Sequence, residues 1–262
     1  MTIADPVVDG VPNFRSLAGL TTPDGRRIRE GVLYRTESLA GATPTGRRQL
    51  ADLHIASMCD LRSAGEAARA PIDWGGPEPQ AIRVETLPDA RVAGENLIHS
   101  IMADPTGRTA YEVLLGNARS MPTSFGTSMA AVFDALLDED RVPLAIGCVA
   151  GKDRTGFVTA VILSALGIEW SQIAADYLRS REYFTADRLY GSMVAWLDER
   201  PDPMITADDL HAASNDIAFL AASFEAIDTE FGGFDEYLRN RCGLDDQRRA
   251  RLQQALLESA GT

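Results

Sequence analysis

Residues 144–156 read Leu-Ala-Ile-Gly-Cys-Val-Ala-Gly-Lys-Asp-Arg-Thr-Gly. The apolar residues from Val142 to Ile146 predict a short buried strand. The apolar run from Thr155 to Leu166 predicts a helix, which should end at Gly167 because glycine is common just after a helix. The segment between strand and helix must therefore turn tightly into a helix start. Backbone N–H groups lack helical partners there and can converge on an anion, with the positive end of the helix dipole behind them.

A thiol and a guanidinium at the two ends of this turn indicate phosphoryl transfer. The field of a helix start favours the thiolate form of Cys148, which could attack a bound phosphate in line. Arg154 can hold two phosphate oxygens with its planar fork and stabilise their charge during transfer. Thr155 could place a hydroxyl beside the sulfur. The residues predicted to surround the phosphate are Val149, Ala150, Gly151, Lys152, Asp153 and Thr155.

The run from Cys148 to Gly156 resembles the signature of the cysteine-dependent protein-tyrosine phosphatases, in particular of their bacterial branch with its mycobacterial members. Other segments similar to this family are spread over most of the chain: Asn13-Phe-Arg15, Leu33-Tyr-Arg35, Asp60-Leu-Arg-Ser63, Ala175-Asp-Tyr-Leu-Arg179 and Tyr237-Leu-Arg239. The resemblance implies a phosphomonoester hydrolase that works through a cysteinyl-phosphate and needs no metal or other cofactor.

One position departs from the family's signature. The family carries His immediately before the nucleophile, where it hydrogen-bonds within the loop and supports the thiolate, whereas this chain carries Gly147. We expect weakened or pH-shifted activity rather than none, because the helix start and Arg154 supply much of the field independently. The alternative is a pseudophosphatase, which binds phosphate without turnover. A thiol oxidoreductase or sulfurtransferase is disfavoured by the Arg154-Thr-Gly156 run.

Expulsion of a phenolate, whose conjugate acid has a pKa of about 10, calls for a general acid. Asp60 is the first candidate, because it ends a predicted strand beside the Cys148 strand and matches an Asp of the family's Asp-Leu-Arg segment. Asp153 is the second, since it lies within the loop, although it could instead accept hydrogen bonds from the backbone or from an arginine. Asp89, on a predicted mobile loop, is the third.

Lys152 bears on the choice of substrate. The run Cys-x-x-Gly-Lys-x-Arg resembles that of phosphatases which also accept phosphoinositides, and the alternative is a solvated lysine that only strengthens the anion field. The predicted substrates are phosphotyrosine proteins or phosphorylated small molecules, with phosphoserine, phosphothreonine and phosphoinositides as further candidates. By resemblance Arg15 and Arg62 border the pocket, and each could equally pair with a surface acid.

Strand and helix patterns alternate over the first half of the chain. This alternation predicts an α/β fold with a mostly parallel central sheet, helices on both faces and a helical C-terminal portion over 168–262. One domain over 1–262 is expected. The region 88–124 suggests two short amphipathic helices, which either cover the active site as a lid or form an insertion packed at the sheet edge. The phosphate loop follows the carboxyl end of its strand, where open α/β sheets bind ligands.

The net charge is −13, from 38 acidic and 25 basic residues, and it disfavours nucleic acid or an anionic membrane as partner. No apolar run reaches membrane length and the first residues show no signal pattern, so a cytoplasmic protein without stable membrane association is expected, with export without a cleaved signal as the alternative. Three scattered cysteines do not make a disulfide framework. Cys59 could be a protective disulfide partner of Cys148, or a small core residue. The histidines show no metal-ligand spacing, and no metal site is predicted.

Overall fold

The computed structural model describes residues 5–84, 95–194 and 204–259. The strands in these ranges are β1 (Arg15–Ser16), β2 (Arg26–Ile28), β3 (Leu33–Thr36), β4 (Ser57–Asp60), β5 (Gln80–Arg83), β6 (Leu144–Gly147) and β7 (Leu257–Ser259). The helices are α1 (Pro44–Asp52), α2 (Ala64–Arg69), α3 (Glu95–Met102), α4 (Arg108–Phe125), α5 (Met129–Leu136), α6 (Asp153–Leu166), α7 (Trp170–Tyr183), α8 (Ala186–Val194), α9 (Ala207–Ala213), α10 (Ile217–Phe231), α11 (Phe234–Asn240) and α12 (Asp246–Leu256). None of these helices has the length and apolar character needed to span a membrane.

The central sheet has the strand order β1-β3-β6-β4-β5. Strands β3, β6, β4 and β5 are parallel, and β1 joins the edge antiparallel to β3. Every residue of β6 is buried, as expected of a central parallel strand with both faces covered. At the carboxyl end, Thr36 and Asp60 align with Gly147 from either side. The loop after β6 therefore emerges between the ends of β3 and β4.

Helices cover both faces of this sheet, and the predicted fold class is confirmed. On one face Leu144 and Ile146 contribute to a large apolar core shared with α4, α5, α6 and α12. On the other face Ala145 packs in a separate apolar cluster with Leu50 of α1. Helix α6 is buried almost all round because it lies between the sheet and the C-terminal helices, which explains its nearly uninterrupted apolar sequence.

The region 88–124, which was predicted to form two short amphipathic helices, lies partly outside the described residues, which resume at residue 95. Within it, α3 is short, but α4 has 18 residues and is not a short helix. Helix α4 contributes Met121 and Phe125 to the main core and runs against α10, where Ser223 donates a hydrogen bond to the carbonyl of Ala118 at 2.8 Å. The lid prediction can therefore apply to α3 but not to the C-terminal part of α4.

The prediction of a wholly helical segment after Gly167 is wrong at its end. Strand β7 pairs antiparallel with β2, aligning Leu257 with Ile28. Both side chains belong to the main core, so burial fixes this small sheet. Local sequence did not indicate it, because β7 continues the apolar pattern of α12 and its partner strand lies more than 200 residues earlier in the chain.

Candidate active site

The loop predicted to bind phosphate connects the end of β6 to the start of α6. Cys148 is the first residue after the strand and is only 3% exposed. Helix α6 begins at Asp153, two residues before the predicted start, so Arg154 lies in its first turn. The Thr155 hydroxyl is buried and makes no hydrogen bond within the described part of the chain. Its predicted place beside the sulfur stays a prediction.

The carbonyl groups of the loop accept hydrogen bonds from outside it. The pairs are Gly147 with the Leu61 N–H (2.7 Å), Val149 with the Ser38 N–H (3.1 Å), Ala150 with the Asn13 Nδ2 (2.8 Å) and Gly151 with the Arg35 Nη2 (2.8 Å). In a trans peptide the N–H points opposite to the C=O, so these bonds direct the following N–H groups towards the concave side of the loop. The N–H groups of Ala150 and Gly151 donate to no other described residue. This concave side is therefore suited to a tetrahedral anion.

Gly151 is required by the close packing of the loop on the end of β3. Its φ is +65°, and a Cβ built there would lie 2.4 Å from the carbonyl oxygen of Thr36. An L-residue would thus be strained in its backbone and would also collide with a neighbouring strand. Glycine at this position lets the loop fold back tightly enough for consecutive peptide groups to turn inward.

Arg154 forms an ion pair with Glu66, a residue that was not predicted from the sequence to belong to the site. Its Nη1 and Nη2 donate to the two oxygens of Glu66 at 2.7 and 2.8 Å, and Nη1 also donates to the carbonyl of Leu61 at 3.0 Å. Because the Nη1–Nη2 edge faces Glu66, the edge that would meet two phosphate oxygens is Nε–Nη2. Glu66 thus sets the direction in which Arg154 presents its fork.

Glu66 is fixed in turn by the start of α2. The Glu66 N–H donates to the Ser63 hydroxyl at 3.2 Å, and the Ser63 N–H donates to Glu66 Oε2 at 2.8 Å. This reciprocal pair is a capping box. The spacing Ser-x-x-Glu directly after the Asp60-Leu-Arg segment was the signal in the sequence that could have indicated Glu66.

Asp60 ends β4 next to the start of the loop, because it is aligned with Gly147 of β6. Its carboxylate is engaged by Arg62, whose Nε and Nη2 donate to it at 2.9 and 2.7 Å. The Asp60 side chain is 29% exposed, so it remains accessible from solvent. An acid role for Asp60 requires this pair to open. Arg62, predicted either to border the pocket or to pair with an acid, does pair with one.

Asp153 faces α7 in this structure. The Tyr177 hydroxyl donates to Asp153 Oδ1 at 3.3 Å, and the Lys152 Nζ lies 3.7 Å from the same oxygen. The second candidate acid is thus close to the loop but already accepts a hydrogen bond. Asp89, the third candidate, lies outside the described residues.

Lys152 is not a solvated lysine, and that interpretation is wrong. Its side chain is 6% exposed and its Nζ donates to the carbonyl of Ser214, just after α9. Burial of an ammonium requires such partners, because an unsatisfied buried charge is costly. The side chain therefore connects the loop to a helical segment that follows it by about 60 residues.

The loop is covered on its outer side by an apolar cluster. Ala150 packs in this cluster with residues of α3, α4, α8 and α9, of the end of α7 and of the segment before α9: Ile98, Ile101, Met102, Ala110, Phe184, Leu189, Ile205 and Leu210. A polar contact adds to the cover, since Arg188 of α8 donates to Glu37. Cys148 itself is buried in the main core, to which its side chain belongs.

Cys59 is a core residue in this structure. It aligns with Ile146 rather than Cys148, and it is fully buried in the main core. Burial raises the pKa of its thiol above the ordinary value. The arrangement favours the structural interpretation of Cys59 over a disulfide with Cys148.

The position of the missing histidine is filled by neighbouring side chains. A Cβ built on Gly147 would lie 2.7 Å from the Thr36 Cγ2 and 3.1 Å from the Met58 Cε. Gly147 thus fits a site where the adjacent strand ends close over the backbone. The predicted effect of Gly147 on activity stays a prediction, but the packing shows that a larger residue needs Thr36 to move.

We expect Gly147→Ala to lower the free energy of unfolding by about 1–2 kcal/mol, because the added methyl overpacks the site against Thr36. Thr36→Ser removes the methyl that collides. In the Thr36→Ser background, Gly147→Ala should therefore lower the free energy of unfolding by much less than it does in the unsubstituted chain. Urea unfolding of the four proteins measures this coupling. Additive effects of the two substitutions would contradict the assigned clash.

The sequence profile of the tyrosine phosphatase family matches residues 6–258, and the chain belongs to this family. The predicted enzyme class, a protein-tyrosine phosphatase, is thereby confirmed. The chain is 30% identical to the triple specificity protein phosphatase PtpB of Mycobacterium tuberculosis, covering 95% of this chain and 97% of that protein. It is 29% identical to a putative tyrosine-protein phosphatase of Cupriavidus necator, with coverage of 92% and 85%. A tyrosine-protein phosphatase of Nostoc commune is 24% identical, with coverage of 94% and 81%.

Proposed function

We propose that the chain hydrolyses phosphotyrosine through a cysteinyl-phosphate on Cys148. The observation that supports this most is the outward anchoring of the loop carbonyls, which directs successive N–H groups towards one side of the loop. Those N–H groups and the Arg154 fork would bind the phosphate dianion. The sulfur attacks phosphorus, the bond from phosphorus to the tyrosine oxygen breaks, and that oxygen takes a proton. Water then attacks phosphorus, breaking the S–P bond and releasing phosphate.

The proton for the leaving group is assigned to Asp60, with Asp153 as the alternative. Asp60 lies next to Gly147 at the mouth of the loop and is partly exposed, so a substrate oxygen could reach it once Arg62 releases it. Asp153 is nearer in sequence to the loop, but its contact with Tyr177 directs it towards α7. The position of Asp60 therefore favours it as the acid.

The proposed substrate range extends beyond phosphotyrosine. The relative from M. tuberculosis is named a triple specificity phosphatase, which supports phosphoserine or phosphothreonine and phosphoinositides as further substrates. An additional phosphate on such a substrate would compete with the Ser214 carbonyl for Lys152. Because Cys148 is 3% exposed, a substrate reaches the sulfur only if residues that bury it move.

A second candidate is a pseudophosphatase that binds phosphate without turnover. The replacement of the motif histidine by Gly147 is the observation in its favour. Against it stands the full set of loop contacts described above, together with the anchoring of Arg154 by Glu66. The two candidates differ in one measurable species, the phosphoenzyme.

Acid quenching of the protein during turnover of a phosphotyrosine peptide tests the proposal. We expect one phosphoryl group on the peptide that contains Cys148, detected by mass spectrometry, and release of inorganic phosphate that is unaffected by a chelator. The same assay with a phosphoinositide and with a phosphoserine peptide defines the range of substrates. Phosphate binding without either phosphoenzyme or phosphate release would establish the pseudophosphatase instead.

A further inference from the structure

Three buried charged residues lie together behind the loop. Arg15 of β1 and Arg35 of β3 are each 1% exposed, and both pair with Asp176 of α7. The Arg15 Nε donates to Asp176 Oδ1 at 2.8 Å, and the Arg35 Nη1 donates to Asp176 Oδ2. The family-like segments that contain these residues are thus brought to one place, and Arg15 does not line an open pocket.

The charges in this cluster do not balance. Two guanidinium groups face one carboxylate, and the burial of an unbalanced cation is costly. Burial by itself would raise the pKa of Asp176, but Arg35 and Arg15 lower it below its ordinary value. Burial and the neighbouring Arg35 lower the pKa of Arg15 to about 10. A packing role alone does not explain such a cluster, because apolar side chains of similar volume fill a core at less cost.

Each guanidinium group connects Asp176 to the loop by a further hydrogen bond, Arg35 directly and Arg15 through Asn13. The Arg35 Nη2 donates to the Gly151 carbonyl at 2.8 Å, beside a bond from the Ser180 hydroxyl at 3.3 Å. Arg15 donates to the Asn13 Oδ1, which turns the Asn13 Nδ2 towards the Ala150 carbonyl at 2.8 Å. Two consecutive peptide groups of the loop are therefore oriented by one buried cluster.

We propose that Arg15, Arg35 and Asp176 are positioning residues, which set the affinity of the loop for phosphate by fixing the carbonyls of Ala150 and Gly151. When these carbonyls are held outward, the N–H groups of Gly151 and Lys152 point inward. The excess positive charge of the cluster, which lies behind the loop, also adds to the attraction of an anion. This inference rests on the proposed function, because it takes the loop as the site of the substrate's phosphate.

The decisive variant is Arg35→Lys, which keeps the charge and removes the planar fork that joins Asp176 to Gly151. We expect about a tenfold weaker affinity for inorganic phosphate by calorimetry, and a kcat for para-nitrophenyl phosphate lowered by at least as much. Ser180→Ala removes the hydroxyl that donates to the Gly151 carbonyl and accepts from both Arg15 and Arg35, and it should give a weaker loss of about threefold in the same affinity. This second variant keeps the test decisive if Arg35→Lys folds poorly.

Tyr237→Phe is the matched control, since it removes a buried hydrogen bond to the Pro122 carbonyl and none of the bonds that anchor the loop. It should lower the urea midpoint without changing the affinity for phosphate. The inference is overturned if Arg35→Lys and Ser180→Ala lower only the urea midpoint, or if the unsubstituted chain binds no phosphate. Binding that depends on Arg35 in a chain that hydrolyses nothing would support the inference while refuting the proposed function.

Discussion

Replacing Cys148 with serine should lower kcat for phosphotyrosine peptides by at least ~10⁴-fold, because a serine hydroxyl ionises far less readily than a thiol and is a far weaker nucleophile than a thiolate. The carbonyl anchors that orient the loop do not involve the Cys148 side chain. The affinity for inorganic phosphate should therefore stay within a few fold of the unsubstituted chain. Steady-state kinetics and calorimetry measure the two quantities.

Cys242→Ser is the matched control for this substitution. Cys242 is also buried in the main core but lies after α11 rather than in the loop, so a new hydroxyl there should cost stability and leave kcat of the folded protein nearly unchanged. If Cys148→Ser retains more than a small fraction of the turnover, another group is the nucleophile. The covalent mechanism would then have to be abandoned even though the family assignment stands.

Arg154→Lys should lower kcat/KM by about 10²–10³-fold, because lysine keeps the charge but cannot bind two phosphate oxygens side by side. Glu66 would still neutralise a lysine at this position, so the loss should appear in catalysis more than in stability. Arg249→Lys is a matched control. Arg249 likewise donates to a carbonyl and a carboxylate, but at the other end of α6, on Ala165 and Asp235.

Glu66→Gln completes a double-mutant cycle with Arg154→Lys. We expect Glu66→Gln alone to lower kcat/KM by about tenfold, since Arg154 loses the charged partner that sets its direction. In the Arg154→Lys background the same change should have little further effect, because the fork to be oriented is already gone. Fully additive losses would show that Glu66 acts on catalysis by another route.

The strand, the loop and α6 could be predicted because their signals are local. Apolar runs on either side of a glycine-containing turn place Cys148 and Arg154 without any knowledge of distant residues. The partners that orient the loop could not be found in this way. Asn13 and Arg35 are separated from the loop carbonyls that they bind by 137 and 116 residues, so only the folded chain brings them together.

The burial and the partner of the Lys152 side chain could not be predicted from the sequence either. A lysine in a polar loop is solvated in most proteins, and its sequence neighbours give no reason to expect otherwise. The carbonyl that binds it belongs to Ser214, at the end of a short helix. Glu66 differs from these cases, because its capping-box spacing with Ser63 was visible in the sequence even though its ion pair with Arg154 was not.

The pairing of β2 with β7 has a consequence for biosynthesis. Ile28 is synthesised more than 200 residues before its strand partner Leu257. Until then the exposed edge of β2 has no strand to cover it, and unpaired edges invite association between chains. The main core, which contains both residues, can therefore be completed only after Leu257 has been synthesised.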